Sequence, residues 1–144
     1  MDWRLIEQKL ESLRRCVYRV EEKCPKDADT LAKDYDAQDI LALNLTRAVQ
    51  LGVDIGAHLV AGTALPAPDT MGQTFDILME AGILNEELAR RIKKAFGFSN
   101  LAIHNYDTIN WAIVYAIARE RLTDFEDFGR AVVVASNVES SRHG

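Results

Sequence analysis

Between Trp3 and Cys24, apolar side chains recur at alternating steps of three and four: Trp3, Ile6, Leu10, Leu13, Val17, Val20 and Cys24. That spacing lays one apolar seam along a helix, and Arg4, Lys9, Arg14, Arg15, Glu21 and Glu22 occupy the opposite face. Pro25 ends it. A seam this long suits an antiparallel bundle. Residues 25–34 read as a polar connector, and Asp36 as the N-cap of a second helix running to about Ala61. Its inward positions are Leu41, Leu45, Ala48, Gly52, Ile55 and Leu59. Gly52 and Gly56 sit in the interior of that helix, where glycine costs about 1 kcal/mol relative to alanine. Close approach of another helix would compensate, either within the monomer or across a dimer.

Gly62 to Pro68 is rich in turn formers. Thr70 and Gln73 then have capping-box spacing, which predicts a short third helix from Met71 to about Ala81, closed by Gly82. Asn85 caps a fourth helix, with Glu86 and Glu87 at its positive dipole end and Leu88, Ile92, Ala95 and Phe96 facing inward. Gly97 and a polar run from Ser99 to Asp107 follow it. A fifth helix over roughly 108–136 buries Ile109, Ile113, Ala116, Ile117, Phe125, Phe128 and Val132. No segment alternates convincingly with period two. The expectation is an all-α antiparallel bundle of four long helices and one short one, forming a single domain over 1–136 with a polar, fraying tail over 137–144.

Composition narrows the classes. Charged residues make up 27% and hydrophobic residues 48%, ordinary values for a globular chain. No apolar run approaches the ~20 residues a membrane span needs, and the charged N-terminus has no signal-peptide core, so a cytoplasmic protein without membrane partners is expected. Cys16 and Cys24 lie ~12 Å apart along one helix and are expected to stay reduced. The net charge of −5 argues against a broad nucleic-acid surface, though not against an enzyme that meets RNA in a local cleft.

Among candidate chemistry, no phosphate-binding glycine loop, His/Cys metal cluster, nucleophile elbow or HExxH pair is present, so neither metal nor cofactor is expected. His58 and His143 stand alone. The cluster Arg90, Arg91, Lys93 and Lys94 reads first as a solvated helix face, with Arg91 and Lys94 as candidates for RNA contact. The segment that stands apart is Gly97-Phe98-Ser99-Asn100-Leu101-Ala102-Ile103-His104-Asn105-Tyr106-Asp107. A histidine near neutral pKa can take a proton from a ribose 2′-hydroxyl or return one to a leaving oxygen, and His104 has polar company for that work.

This segment resembles the HepT family, a branch of the HEPN superfamily of helical nucleotide-binding and ribonuclease domains. The family motif runs Arg-Asn-x-x-x-His-x-Tyr, and the chain matches its common form at Gly97, Phe98, Asn100, Leu101, Ala102, Ile103, His104 and Tyr106. Similarity extends over Ile40–Arg47, Asp54–His58 and Ile109–Phe125. The resemblance implies a toxin of a two-gene toxin–antitoxin system, a metal-independent RNase. It implies a homodimer in which motifs from two protomers face one cleft, and leaves open a higher hetero-oligomer with its antitoxin, a small nucleotidyltransferase called MntA. His104 would be the general acid/base, beside Asn100. Tyr106 would receive AMP from the antitoxin, and the added phosphates would obstruct the cleft and repel RNA.

Ser99 departs from the motif. An arginine there would hold a permanent bidentate charge against the scissile phosphate, and by analogy with deleting one electrostatic stabiliser its loss costs ~10²–10³ in rate. Arg47, or an arginine from a partner subunit, is a candidate substitute. Natural attenuation, a relative that binds without cleaving, and an engineered substitution each account for Ser99. The functional alternatives are therefore an RNase toxin, a non-catalytic partner presenting nucleotide or substrate to a nucleotidyltransferase, and a plain helical dimerisation module.

Overall fold

The computed structural model describes residues 2–103 and 108–143, the stretch 139–143 in backbone only. Seven helices are found among them: α1 (Trp3–Lys23), α2 (Ala28–Lys33), α3 (Tyr35–Ala61), α4 (Met71–Glu80), α5 (Glu86–Ile103), α6 (Trp111–Glu120) and α7 (Leu122–His143). No strand occurs among the described residues. The all-α bundle is as expected, but divided differently.

The long pair α1 and α3 forms the spine. Lys9 reaches Asp54 at 3.4 Å, and Arg47 lies near Cys16, so the two helices run antiparallel. The seam read from the sequence is buried at Ile6, Leu10, Leu13, Val17 and Val20, with Trp3 and Cys24 packed at its ends. All six inward positions expected on α3 are buried. Its cap is Asp34, whose side chain accepts from the Ala37 N–H, rather than Asp36. The difference arises because the polar connector folds: Asp27 caps a short α2, Leu31 is buried, and Gln38 Nε2 donates to the Leu31 carbonyl at 2.9 Å.

Gly52 and Gly56 have their explanation inside the monomer. A Cβ on Gly52 would come within 2.6 Å of Phe96 Cζ on α5, and one on Gly56 within 2.8 Å of Thr74 Cγ2 on α4. Phe96 in turn stacks on Phe125 with ring centroids 4.7 Å apart and meets Phe75 and Phe128 edge to face at 5.2 and 5.8 Å. This aromatic cluster joins α4, α5 and α7 over the glycine side of α3.

The cap signals around α4 hold. Thr70 Oγ1 accepts from the Gln73 N–H, and Gln73 Oε1 accepts from the Asp69 N–H. Gly82 takes φ +80°, the left-handed conformation that lets the Ile83 N–H reach back to the Leu78 carbonyl at 2.9 Å.

Two expectations are corrected. Gly97 does not end the fourth helix; α5 continues to Ile103, because Ser99 and Ile103 extend the buried stripe of Ile92, Ala95 and Phe96. The single helix over 108–136 is two helices broken at Arg121, where α6 turns away to pack on α2 and α5 while α7 lies along α5 and α1. The break resets the register: Val114, Ile117 and Ala118 are buried on α6, whereas Ile113 and Ala116, expected inside, face solvent. α7 runs to His143, and no glycine or proline interrupts 130–143.

Candidate active site

The segment singled out by its chemistry begins on the last turns of α5. Ser99 is 1% exposed, and its hydroxyl donates to the Ala95 carbonyl one turn back at 2.7 Å. The serine thus satisfies itself within its own helix and offers solvent neither charge nor donor. Asn100 beside it is exposed. His104, Asn105, Tyr106 and Asp107 lie outside the described residues. The chain is described again at Thr108, and Asn110 caps α6 by accepting from the Ala112 and Ile113 N–H groups at 3.1 and 3.2 Å. The elements on either side of His104 and Tyr106 are therefore helix ends, α5 closed by the buried Ile103 and α6 opened by Asn110.

The cations expected near the site are dispersed. Arg47 is exposed and sits about 140° around α3 from Gly52, on the side facing α1 rather than α5. Burial pushes the Cys16 thiol up, with Arg47 and then Arg15 pulling the other way; both cysteines are free, as expected.

The four cations of α5 divide into two kinds. Lys93 pairs with Asp76 at 2.8 Å. Arg91 is committed to two carboxylates on α7, Asp124 at 2.8 Å and Asp127 at 3.1 Å, and the hydrogen bonds it donates to Asp127 and then Asp124 raise its pKa further. Arg90 and Lys94 stand exposed with no ion pair among the described residues. Lys94 shares its helix face with Phe98 and Leu101, one to two turns from the motif.

That face was missed in the sequence. Phe98 is 55% and Leu101 75% exposed, two large apolar side chains pointing to solvent directly beside the motif. The signal was present: both fall off the stripe of Leu88, Ile92, Phe96 and Ile103 that α5 buries. Among the described residues no three His, Cys, Asp or Glu side chains come together as a metal would need.

Comparison with known proteins places this geometry. The family described as Ribonuclease HepT-like matches residues 3–132. An mRNA nuclease, HepT, from Shewanella oneidensis is 29% identical over 124 residues, covering 86% of this chain and 92% of that protein. The solved structure of the tri-AMPylated Shewanella oneidensis HEPN toxin in complex with MNT antitoxin superposes with a TM-score of 0.79 at 28% identity, covering 90% of this chain and 96% of that one. The cytosolic protein of unknown function YutE from Bacillus subtilis shares the fold with a TM-score of 0.82 at 16% identity, over 96% of this chain and 93% of its own.

Proposed function

This chain belongs to the HepT-like ribonuclease family, and from that membership we propose that it is the toxin half of a toxin–antitoxin pair. In this reading it is a cytoplasmic, metal-independent endoribonuclease, silenced when an MntA-like nucleotidyltransferase transfers AMP to Tyr106. Its catalytic power is attenuated by Ser99. The observation that carries the reading is the family match over nearly the whole chain, together with retention of both His104 and Tyr106 at their motif positions.

The chemistry follows from the side chains. His104, as the neutral base, takes the proton of a ribose 2′-hydroxyl; the freed oxygen attacks the adjacent phosphorus. The P–O5′ bond breaks, the leaving oxygen collects a proton, and a 2′,3′-cyclic phosphate remains. Asn100, the exposed asparagine of the motif, would hold a phosphate oxygen. Position 99 would have supplied the charge that matters most in the transition state. Its serine bonds to Ala95 instead, so the reaction proceeds with one electrostatic stabiliser fewer, a loss of ~10²–10³ in rate.

A homodimer completes the cleft. Phe98 and Leu101 are apolar, exposed and adjacent to the motif, and pairing that face would bury them and bring two motif segments together. Lys94 on the same face is the better candidate for RNA phosphate than Arg91, which is already paired, or Arg47, which faces α1.

A second reading is favoured by one observation, the self-satisfied Ser99. On that account the chain binds nucleotide or RNA and presents Tyr106 to its nucleotidyltransferase without cleaving anything. The two readings separate on purified protein incubated with RNA, with and without chelator. Cleavage that survives chelation and disappears in His104→Ala supports the nuclease. Binding of RNA without cleavage, even at high enzyme and long times, supports the presenting partner. Cleavage that stops on chelation contradicts the metal-free mechanism.

A further inference from the structure

Arg91 was a candidate for RNA contact, and its surroundings give it a different task. From Arg91 the chain follows α5 for about 18 Å to Ile103, passes through the residues carrying His104 and Tyr106, and returns along about 15 Å of α6 to the break at Arg121. The first turn of α7 then delivers Asp124 to the guanidinium from which the excursion began. Arg91 Nη1 donates to Asp124 Oδ1 at 2.8 Å and to Asp127 Oδ2 at 3.1 Å, and its Nε lies 3.9 Å from Glu87 Oε1. Asp124 is 4% exposed.

We infer that the Arg91–Asp124–Asp127 ion pair is a clasp that ties the start of α7 back to α5, and that Arg91 is a positioning residue for α6, the helix that follows the motif in sequence. Three observations carry this. The carboxylates of Glu87, Asp124, Asp127 and Glu126 surround Arg91 and Arg130, so the neighbourhood repels a phosphate rather than receiving one. The α6 helix has only ten residues, too few to be stable alone, so its pose depends on its attachments. One attachment is Tyr115, whose hydroxyl donates to the Lys26 carbonyl at 2.8 Å; the Asn110 cap sets its entry, and the clasp fixes its exit. A buried carboxylate held by a charge-assisted hydrogen bond is also costly to release, which makes the clasp a fixed point rather than a surface pairing.

The consequence for catalysis rests on the ribonuclease reading; the clasp itself does not. Its test is hydrogen exchange in the intact chain, in Arg91→Met and in Arg91→Lys, comparing amides of α6 with those of α1 and α3. Arg91→Met is expected to speed exchange in α6 about tenfold while the α1–α3 spine is unchanged, with Arg91→Lys between the two. Equal acceleration everywhere, or none, overturns the clasp. The second measurement is RNA cleavage by the same substitutions made in a Ser99→Arg chain. Arg91→Met should lower kcat about tenfold or more with KM unchanged, and Arg91→Lys should recover part of it. A raised KM at constant kcat would make Arg91 an RNA ligand after all and overturn the positioning role. If no version cleaves RNA, the ribonuclease reading fails, and the exchange pattern alone decides the clasp.

Discussion

Gly52 of α3 and Phe96 of α5 share one space: the ring edge of Phe96 lies where a β-carbon on residue 52 would be, 2.6 Å from Cζ. The glycine therefore trades helix propensity for an aromatic ring in the core. Gly52→Ala should lose up to about 2 kcal/mol, since overpacking of about 1–3 kcal/mol is offset by a propensity gain of about 1 kcal/mol. In a Phe96→Leu background the same change should be neutral or stabilising. Urea denaturation of the four chains measures this directly. An additive cycle would contradict the contact.

The register of α6 gives a sharper comparison between neighbours. Ile113→Ser should change stability by no more than about 0.5 kcal/mol, as exposed positions do. Val114→Ala should cost about 2 kcal/mol because Val114 is fully buried. A single continuous helix over 108–136 would favour the reverse order. Thermal melts of both chains settle it.

How much of this was legible in the sequence depends on what fixed each feature. The seam of α1, the inward face of α3 and the caps at Thr70 and Asn85 are local, period-driven features, and they were readable. The break at Arg121 was not: no glycine or proline marks it, and it exists because α6 packs on α2 as well as α5 while α7 packs on α5 and α1. The same tertiary pull carries α5 past Gly97, which has open space beside it and so no reason to stop the helix. At the site, residue identity and order were legible, while Ser99's inward orientation, the position of Arg47 and the commitment of Arg91 were not. Each depends on which neighbouring helix a face meets.

The exposed pair beside the motif predicts an assembly. Phe98→Glu with Leu101→Glu should leave the fold intact, since neither side chain is in the core, and should turn a dimer into a monomer in light scattering. A parent chain already monomeric at micromolar concentration, or a doubly substituted chain still dimeric, would remove this face from the interface.

Acid should loosen α2 before the spine. The Thr30 hydroxyl and then the Thr30 N–H donate to Asp27, lowering its pKa below 3.8. A carboxyl depressed on folding contributes stability above its unfolded value, and that contribution is lost as pH falls through the folded one. The parent should therefore be more stable than Asp27→Asn above pH 3.8, with the difference fading below it. Melting midpoints across that range check the sign; a difference growing on acidification would contradict it.

The central claim is an RNase cleft lacking its cation at Ser99, and growth on induction tests it most directly. Three chains are compared: the present sequence, Ser99→Arg, and Ser99→Arg with His104→Ala. Because Ser99 is buried, circular dichroism must first show that the arginine chains fold. The account predicts growth arrest from Ser99→Arg that exceeds any effect of the parent and is relieved by His104→Ala. Normal growth of all three, folded and equally expressed, would contradict it and leave the nucleotide-presenting partner as the better description.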